Sequence, residues 1–212
     1  MELNIQLLSN SVGGIKGVFH AGSYDGDEAV EYAGAGVDTV VWVEANPRIL
    51  NRLIHKTSKY CKNNYWYNHC LLDVDNQVQT FNISSNGQSS SVLEFGKDHS
   101  TLYPTIKYTD KFTVLTKRID TLVAEQTDFN WNDINMLITD CQGADLKVIK
   151  GCGDLLKCPS LKIIKAEVEL SEQYKDGTRH EELDEFLKQY GFSFDMYYHD
   201  YNGWGDHYWF RH

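Results

Sequence analysis

The chain has 212 residues, 42% hydrophobic and 24% charged, with only three prolines. That is about one domain at roughly 150 residues each, long enough to bury a core without disulfide or metal staples. The composition excludes a disordered tail, a collagen and a polar solenoid. Thirty acidic against twenty basic residues give a net charge of −10, which disfavours non-specific attraction to nucleic acid or an anionic membrane.

The N-terminus MELNIQLLSNSVGG lacks a basic residue and a signal-length apolar stretch. Apolar runs such as TVVWV fall far short of the roughly 20 residues that span a bilayer. The sequence therefore predicts a cytoplasmic protein in one domain over 1–212. Its five cysteines show neither a disulfide framework nor zinc-like spacing.

In chain order, GVFHA (17–21) predicts a strand, then the polar turn SYDGD and a helix to about Ala35. TVVWVE (39–44) has the continuous β-branched character of a strand buried on both faces of a parallel sheet. Asn46 and Pro47 predict a helix start, with Asn46 as N-cap and Pro47 at the first helical position. One strand is expected near 65–72 and another at 77–83. NGQSSSVLEFGKDHS (86–100) is a long polar stretch, expected to be a mobile or ligand-ordered lid. FTVLTKRI (112–119), INMLIT (134–139) and LKIIKAEVE (161–169) predict strands, with helices over 143–151 and 181–190, the second closed by Gly191. The end, around NGWG (202–205), reads as an antiparallel hairpin. Strands alternating with helices imply an α/β fold with a mostly parallel sheet, and ligands in such sheets sit outside the carboxyl ends of the strands.

Four strand ends carry candidate chemistry. The turn HAGSYDGDE (20–28) has glycines that let backbone approach a ligand, but its spacing is not GxGxxG. Its three acids would repel a pyrophosphate and tolerate a cationic ligand such as S-adenosylmethionine. An ordinary turn with acids favouring the helix dipole is the plainer reading. Glu44 closes TVVWVE twenty-two positions after Gly22, near the offset at which an acid takes ribose hydroxyls. In TDCQGADLKVIKG, Asp140 caps a strand and faces either the methyl donor or the nucleophile, while Asp145 suits the dipole of its own helix. Glu167 and Glu169 share one face of their strand. His199, His207 and His212 make a metal triad conceivable, but scattered histidines on an aromatic hairpin are more often structural, and no metal is expected. The crowd from Phe192 through Tyr197, Tyr198, Tyr201 and Trp204 to Phe210 suits stacking on a sugar or, more plainly, packing on the sheet.

The blocks FHAGSYDGDEA, VVWVEANP, NGQSSSVLEFG, LTKRIDTL, INMLITDCQGADLKVIKGCGDLLK, EVELSEQYK and NGWGDHYWFR, over about residues 17–211, resemble FkbM-type S-adenosylmethionine-dependent methyltransferases. The resemblance implies a class I methyltransferase fold, a Rossmann-like sheet, mostly parallel with an antiparallel C-terminal hairpin strand and helices on both faces. It implies a methionine-binding turn at His20, Ala21, Gly22 and Ser23, and a ribose and adenine edge at Glu44 and Ala45. Asp73 falls near an adenine-binding acidic position, and Asp140, Gln142 and Gly143 match the fourth-strand motif. Two departures stand out: Glu169 replaces a common asparagine, and His207 replaces a small residue.

These observations predict transfer of a methyl group from S-adenosylmethionine to a hydroxyl of a small molecule or carbohydrate. Nucleic acid and membrane are not expected as partners, and the oligomeric state is left open. Asp140, Glu167 and His20 are the candidate bases. Gln88, Ser89, Ser90 and Ser91, with Glu169, are the candidate acceptor-binding residues. Two rivals remain: a nicotinamide-dependent oxidoreductase, whose Tyr-x-x-x-Lys pair is missing because Tyr108 and Lys111 have the wrong spacing, and a methyltransferase-fold scaffold without activity.

Overall fold

The computed structural model describes residues 5–200 and 202–211, with 196–200 described as backbone only. In chain order the first half comprises α1 (Ile5–Ser11), β1 (Gly17–Ala21), α2 (Ala29–Gly34), β2 (Thr39–Val43), α3 (Leu50–Thr57), β3 (Asn63–Tyr67), β4 (Cys70–Leu71), β5 (Val78–Ser84) and α4 (His99–Leu102). The second half comprises β6 (Tyr108–Lys117), α5 (Ile119–Glu125), β7 (Met136–Thr139), α6 (Asp145–Lys150), β8 (Ile163–Glu169), α7 (His180–Lys188), β9 (Ser193–Asp200) and β10 (Trp204–Phe210).

Seven strands form one sheet in the order β3-β2-β1-β7-β8-β10-β9. Five of them, from β3 to β8, pair in parallel, and β10 enters antiparallel to both β8 and β9. This is the mostly parallel sheet with an antiparallel hairpin strand expected from the sequence. A second, three-stranded sheet, β4-β6-β5, stands beside it.

Alternation along the central strands splits the core into two layers. Phe19, Val41, Leu137, Ile164 and Val168 face α5, α6 and α7 through Leu122, Val148 and Leu183. Val18, Val40, Trp42, Met136 and Ile163 face α1, α2 and α3 through Leu8, Tyr32 and Leu53. Helices therefore cover both faces. Continuous apolar runs such as TVVWV and MLIT are what such double burial requires. The described aromatics of the C-terminal hairpin mostly pack into these layers: Phe192, Tyr208, Trp209 and Phe210 are buried. The side chains of Tyr197, Tyr198, His199, Tyr201 and His212 lie outside the described residues.

Three expectations change. The Asn46 side chain does accept an amide, from Arg48 at 3.1 Å, but it caps a turn, and α3 begins only at Leu50. The strand expected near 65–72 is two: β3 belongs to the main sheet and β4 to the small one, because the chain turns at Asn68, whose side-chain amide is drawn back to the Glu44 carbonyl at 2.7 Å. The short helices α1 and α5, absent from the sequence reading, bury Leu8 and Leu122 on opposite faces. Gly191 behaves as read: at φ 79° it lets the Phe192 amide reach the Leu187 carbonyl at 3.3 Å, ending α7.

Phe19 is fully buried at the centre of β1 and meets Trp131 edge-on at 5.5 Å between ring centroids. Phe19→Ala is expected to cost about 3–5 kcal/mol, through lost burial and the cavity left behind. Equilibrium urea unfolding checks this as a lowered midpoint at unchanged slope.

Candidate active site

A cavity of about 370 Å³ opens beyond the carboxyl ends of β1, β2, β7 and β8. Its floor depends on a close approach: a Cβ on Gly22 (φ 77°) would stand 2.0 Å from the Asp140 carbonyl oxygen. Only glycine lets the end of β1 lie against the end of β7.

Ser23, Tyr24, Glu44, Ala45 and Asn46 line one side. Glu44 is buried, and its two carboxylate oxygens accept amides from Tyr24 at 2.9 Å and Asn46 at 2.7 Å. Those bonds fix the carboxylate between two loops and leave each oxygen a further lone pair for a diol. Burial raises its pKa to about 7, against the pull of the same amides.

Asp140 and Glu167 form the deeper acidic wall, joined by Gln142. The Gln142 side-chain amide donates to Asp140 at 2.7 Å and lies 3.3 Å from Glu167 Oε2. Its carbonyl accepts from the Tyr174 hydroxyl at 2.8 Å. Gln142 sits at φ 51°, a left-handed conformation costly for a side chain with a Cβ, and is held there as Ser91 Oγ donates to its backbone carbonyl at 2.8 Å. Burial, then the charge of Asp140, pushes the Glu167 pKa well above the ordinary carboxylate range. Burial also raises Asp140, opposed by the positive charge of Lys165.

Of the expected site residues, the structure gathers Gly22, Ser23, Glu44, Ala45, Gln88, Ser89, Ser90, Asp140, Gln142 and Glu167 around this cavity. Others lie elsewhere. His20 is corrected first: alternation on β1 turns it away, into the layer with Tyr32 and Trp42, where its Nδ1 meets the Tyr32 hydroxyl at 3.1 Å. Burial, with Lys165 nearby, lowers its pKa to about 3, so it is a weak base with no access to the cavity. Ala21 is core. Asp73 lies off the cavity, its carbonyl held by Arg118 at 2.6 Å, and His69, Cys70 and Leu71 line the wall instead. Gly143 shapes the turn from behind, where a Cβ would meet the Tyr174 side chain at 2.9–3.1 Å. Ser91 braces Gln142. Glu169 is buried behind the wall, accepting the Tyr174 amide at 2.6 Å, with burial raising its pKa to about 7. Asp145 is also buried and accepts the Cys141 amide at 3.2 Å, a role in shaping the loop.

The stretch 86–100, expected to be a mobile or ligand-ordered lid, forms a wall of the cavity tied to other segments by backbone bonds. Asn82 and Ser91 exchange backbone bonds of 2.8 and 3.1 Å, and the Gly96 and Lys175 amides reach the Gln173 and Glu94 carbonyls at 2.6 and 2.9 Å. A polar segment with its backbone groups so satisfied needs little apolar burial to be held. Sequence reasoning missed His99, Tyr103, Gln173 and Tyr174, which complete that wall with Trp204, one of the aromatics read as suited to stacking or packing. The block EVELSEQYK contains Gln173 and Tyr174, but no spacing rule distinguishes them there. Among the described residues no group of three or more His, Cys, Asp or Glu could hold a metal ion. His207 packs against His180, with their Nδ1 atoms 2.9 Å apart.

A family model described as the methyltransferase FkbM domain matches residues 20–194. The chain belongs to that family. FkbM methyltransferases use S-adenosylmethionine, and the cavity suits it: a backbone-lined turn, a fixed carboxylate with spare lone pairs and a buried acidic wall meet a diol and two cationic groups. Solved structures share the fold of this FkbM domain. Magnesium protoporphyrin IX methyltransferase from Synechocystis PCC 6803, with bound S-adenosylmethionine, aligns at TM-score 0.53 and 10% identity, over 98% of this chain and 76% of that one. The methyltransferase domain of bacterial CtHen1-CN aligns at 0.52 and 8% identity, over 97% and 95%. No curated protein matches the chain. No helix among the described residues is long and apolar enough to cross a membrane.

Glu44, Asp145 and Glu169 all have carboxyl pKa values raised to about 7. A raised carboxyl means the folded state binds protons more tightly than the unfolded one, so stability is expected to fall as pH rises from about 4.5 to 7. Each group contributes at most on the order of 3–4 kcal/mol to that fall. Thermal melts of the cofactor-free protein between pH 5 and 8 check the slope, and Glu44→Gln should flatten it.

Proposed function

We infer that the chain methylates a hydroxyl oxygen of a small, uncharged acceptor such as a carbohydrate. One observation carries this reading: the cavity is lined by six carboxylate residues, Asp25, Asp27, Glu28, Glu44, Asp140 and Glu167, and, among the described residues, by no lysine or arginine. Asp25 is itself neutralised by Arg52 and Lys56, and Asp27 by Lys56. Glu28, Glu44, Asp140 and Glu167 have no such partner in the described structure.

Such a lining repels phosphates and favours a ligand with cationic groups. S-adenosylmethionine supplies an electrophilic methyl group on a sulfonium when bound. Glu44 would hold its ribose diol, the Gly22–Ser23 turn would receive its amino-acid end, and Asp140 would face its positive groups. Nucleic acids and nicotinamide dinucleotides carry phosphates that this wall does not accommodate. Gln88, Ser89 and Ser90 offer polar groups to a hydroxyl-rich acceptor on the opposite wall. Catalysis by such a site rests on holding acceptor and methyl donor in near-attack geometry.

S-adenosylmethionine and S-adenosylhomocysteine are expected to raise the melting temperature, and NAD is not; stabilisation by NAD alone would sink the reading. Glu44→Ala is expected to cost about 1.5–3 kcal/mol of cofactor affinity, the worth of hydrogen bonds to a charged group. An unchanged dissociation constant by calorimetry would remove Glu44 from the ribose. Asp140→Asn should weaken cofactor binding and recover most of its turnover when the cofactor is saturating. A turnover loss of about 10²–10⁴ that persists at saturation would instead make Asp140 the base.

A further inference from the structure

His99 and Gln173 stand out among the described residues. Both line the cavity, both are about 95% buried, and each carries a polar atom with no protein partner: His99 Nδ1 and Gln173 Nε2. Buried polar atoms are normally paired, so two orphans on one cavity wall need a ligand.

Their complementarity defines that ligand. His99 Nε2 lies 3.2 Å from the Ile106 carbonyl oxygen, which can only accept, so Nε2 carries the proton. In the neutral imidazole Nδ1 is then a bare acceptor. Burial lowers the His99 pKa and keeps the ring neutral at pH 7. Gln173 Nε2 can only donate. A hydroxyl does both with a single oxygen, donating to Nδ1 and accepting from Nε2. An ammonium has no lone pair for Gln173, and an ionised carboxylate has no proton for His99.

The pair is held rigidly. His99 stacks on Phe95 with centroids 3.4 Å apart, and Phe95 stacks on Tyr108 at 3.9 Å. The segments that bear the two residues are laddered together: Gly96 donates to the Gln173 carbonyl at 2.6 Å, Asp98 to the Glu172 carbonyl at 3.0 Å, and Phe95 bridges to Tyr174. Tyr174, 6.4 Å from the His99 ring, leads directly to Gln142 and the acidic wall. Tyr103 and Trp204, bonded to each other at 3.2 Å, present aromatic surface beside the pair.

We propose that His99 and Gln173 form the acceptor-hydroxyl subsite of the cavity, Gln173 donating to the hydroxyl oxygen and His99 Nδ1 receiving its proton. The step balances: the acceptor oxygen bonds to the methyl carbon as the carbon–sulfur bond breaks, the electron pair leaves on sulfur, and the hydroxyl proton passes to His99 Nδ1. This deepens the proposed function and rests on it.

The test uses the whole chain loaded with S-adenosylhomocysteine and ¹⁵N-labelled at histidine. The probes are methyl hexosides, methyl 6-deoxyhexosides and simple phenols, each set against its fully O-methylated counterpart. At least one hydroxyl probe is expected to shift the His99 Nδ1 resonance, and its O-methylated counterpart is not. Gln173→Met should weaken that probe roughly three- to tenfold, the loss of one hydrogen bond. His99→Gln, which keeps a donor for Ile106 and removes Nδ1, should still bind the probe while methyl transfer to it falls about 10²–10⁴. Binding that leaves His99 Nδ1 unmoved, transfer by His99→Gln at the parental rate, or no response to any hydroxyl probe overturns the subsite. Failure of S-adenosylhomocysteine to bind at all would overturn the proposed function instead.

Discussion

The amide of Gln142, set between Asp140 and Glu167, is the interaction on which the cavity depends. Two carboxylates at the ends of adjacent parallel strands repel each other across a medium poorer than water at screening charge. One amide donates toward both, and the raised pKa of Glu167 shows that its charge is disfavoured there. The backbone is bent to put that amide there: Gln142 is left-handed, Ser91 holds its carbonyl, and Tyr174 holds its side-chain oxygen. Strain at such a residue persists only when its surroundings over-determine it, and here three separate segments do so.

From that junction the rest of the architecture follows in a consistent direction. The parallel strands β1, β2, β7 and β8 all end at the cavity, so residues just beyond β1, β2 and β7 and Glu167 near the end of β8 converge without any long-range loop. The antiparallel hairpin of β9 and β10 closes the far edge and brings Trp204 to the rim. The small β4-β6-β5 sheet supports the wall of residues 86–100, with Tyr108 of β6 clamped to the Leu93 carbonyl at 2.7 Å.

The acidic wall is destabilising for the empty fold. Carboxyls with raised pKa values cost folding free energy once they must ionise, and four of them, Glu28, Glu44, Asp140 and Glu167, line one cavity. The proposed preference for a ligand with cationic groups over a phosphorylated one rests on these acids and on the absence of a lining lysine or arginine among the described residues.

By itself the sequence determined the strands, their double burial and the residues immediately beyond them. A continuous β-branched run such as TVVWV has no other good use in a chain of this composition, and Gly22, Glu44 and Asp140 each sit where a buried strand must end, with Glu167 two residues before the end of β8. Short-range rules also made Gly191 legible as a helix stop. Side-chain direction within a strand was not legible at His20, because alternation fixes which residues share a face and not which face meets the ligand. Residues brought in from the second sheet, the 86–100 wall and the 172–175 turn were decided only by the tertiary structure. His99 and Gln173 are 74 positions apart and meet through backbone ladders between irregular segments, which leave no periodicity in the sequence. The polar stretch that read as a lid became a wall for the same reason: its bonding partners lie in other parts of the chain, and only folding brings them within reach.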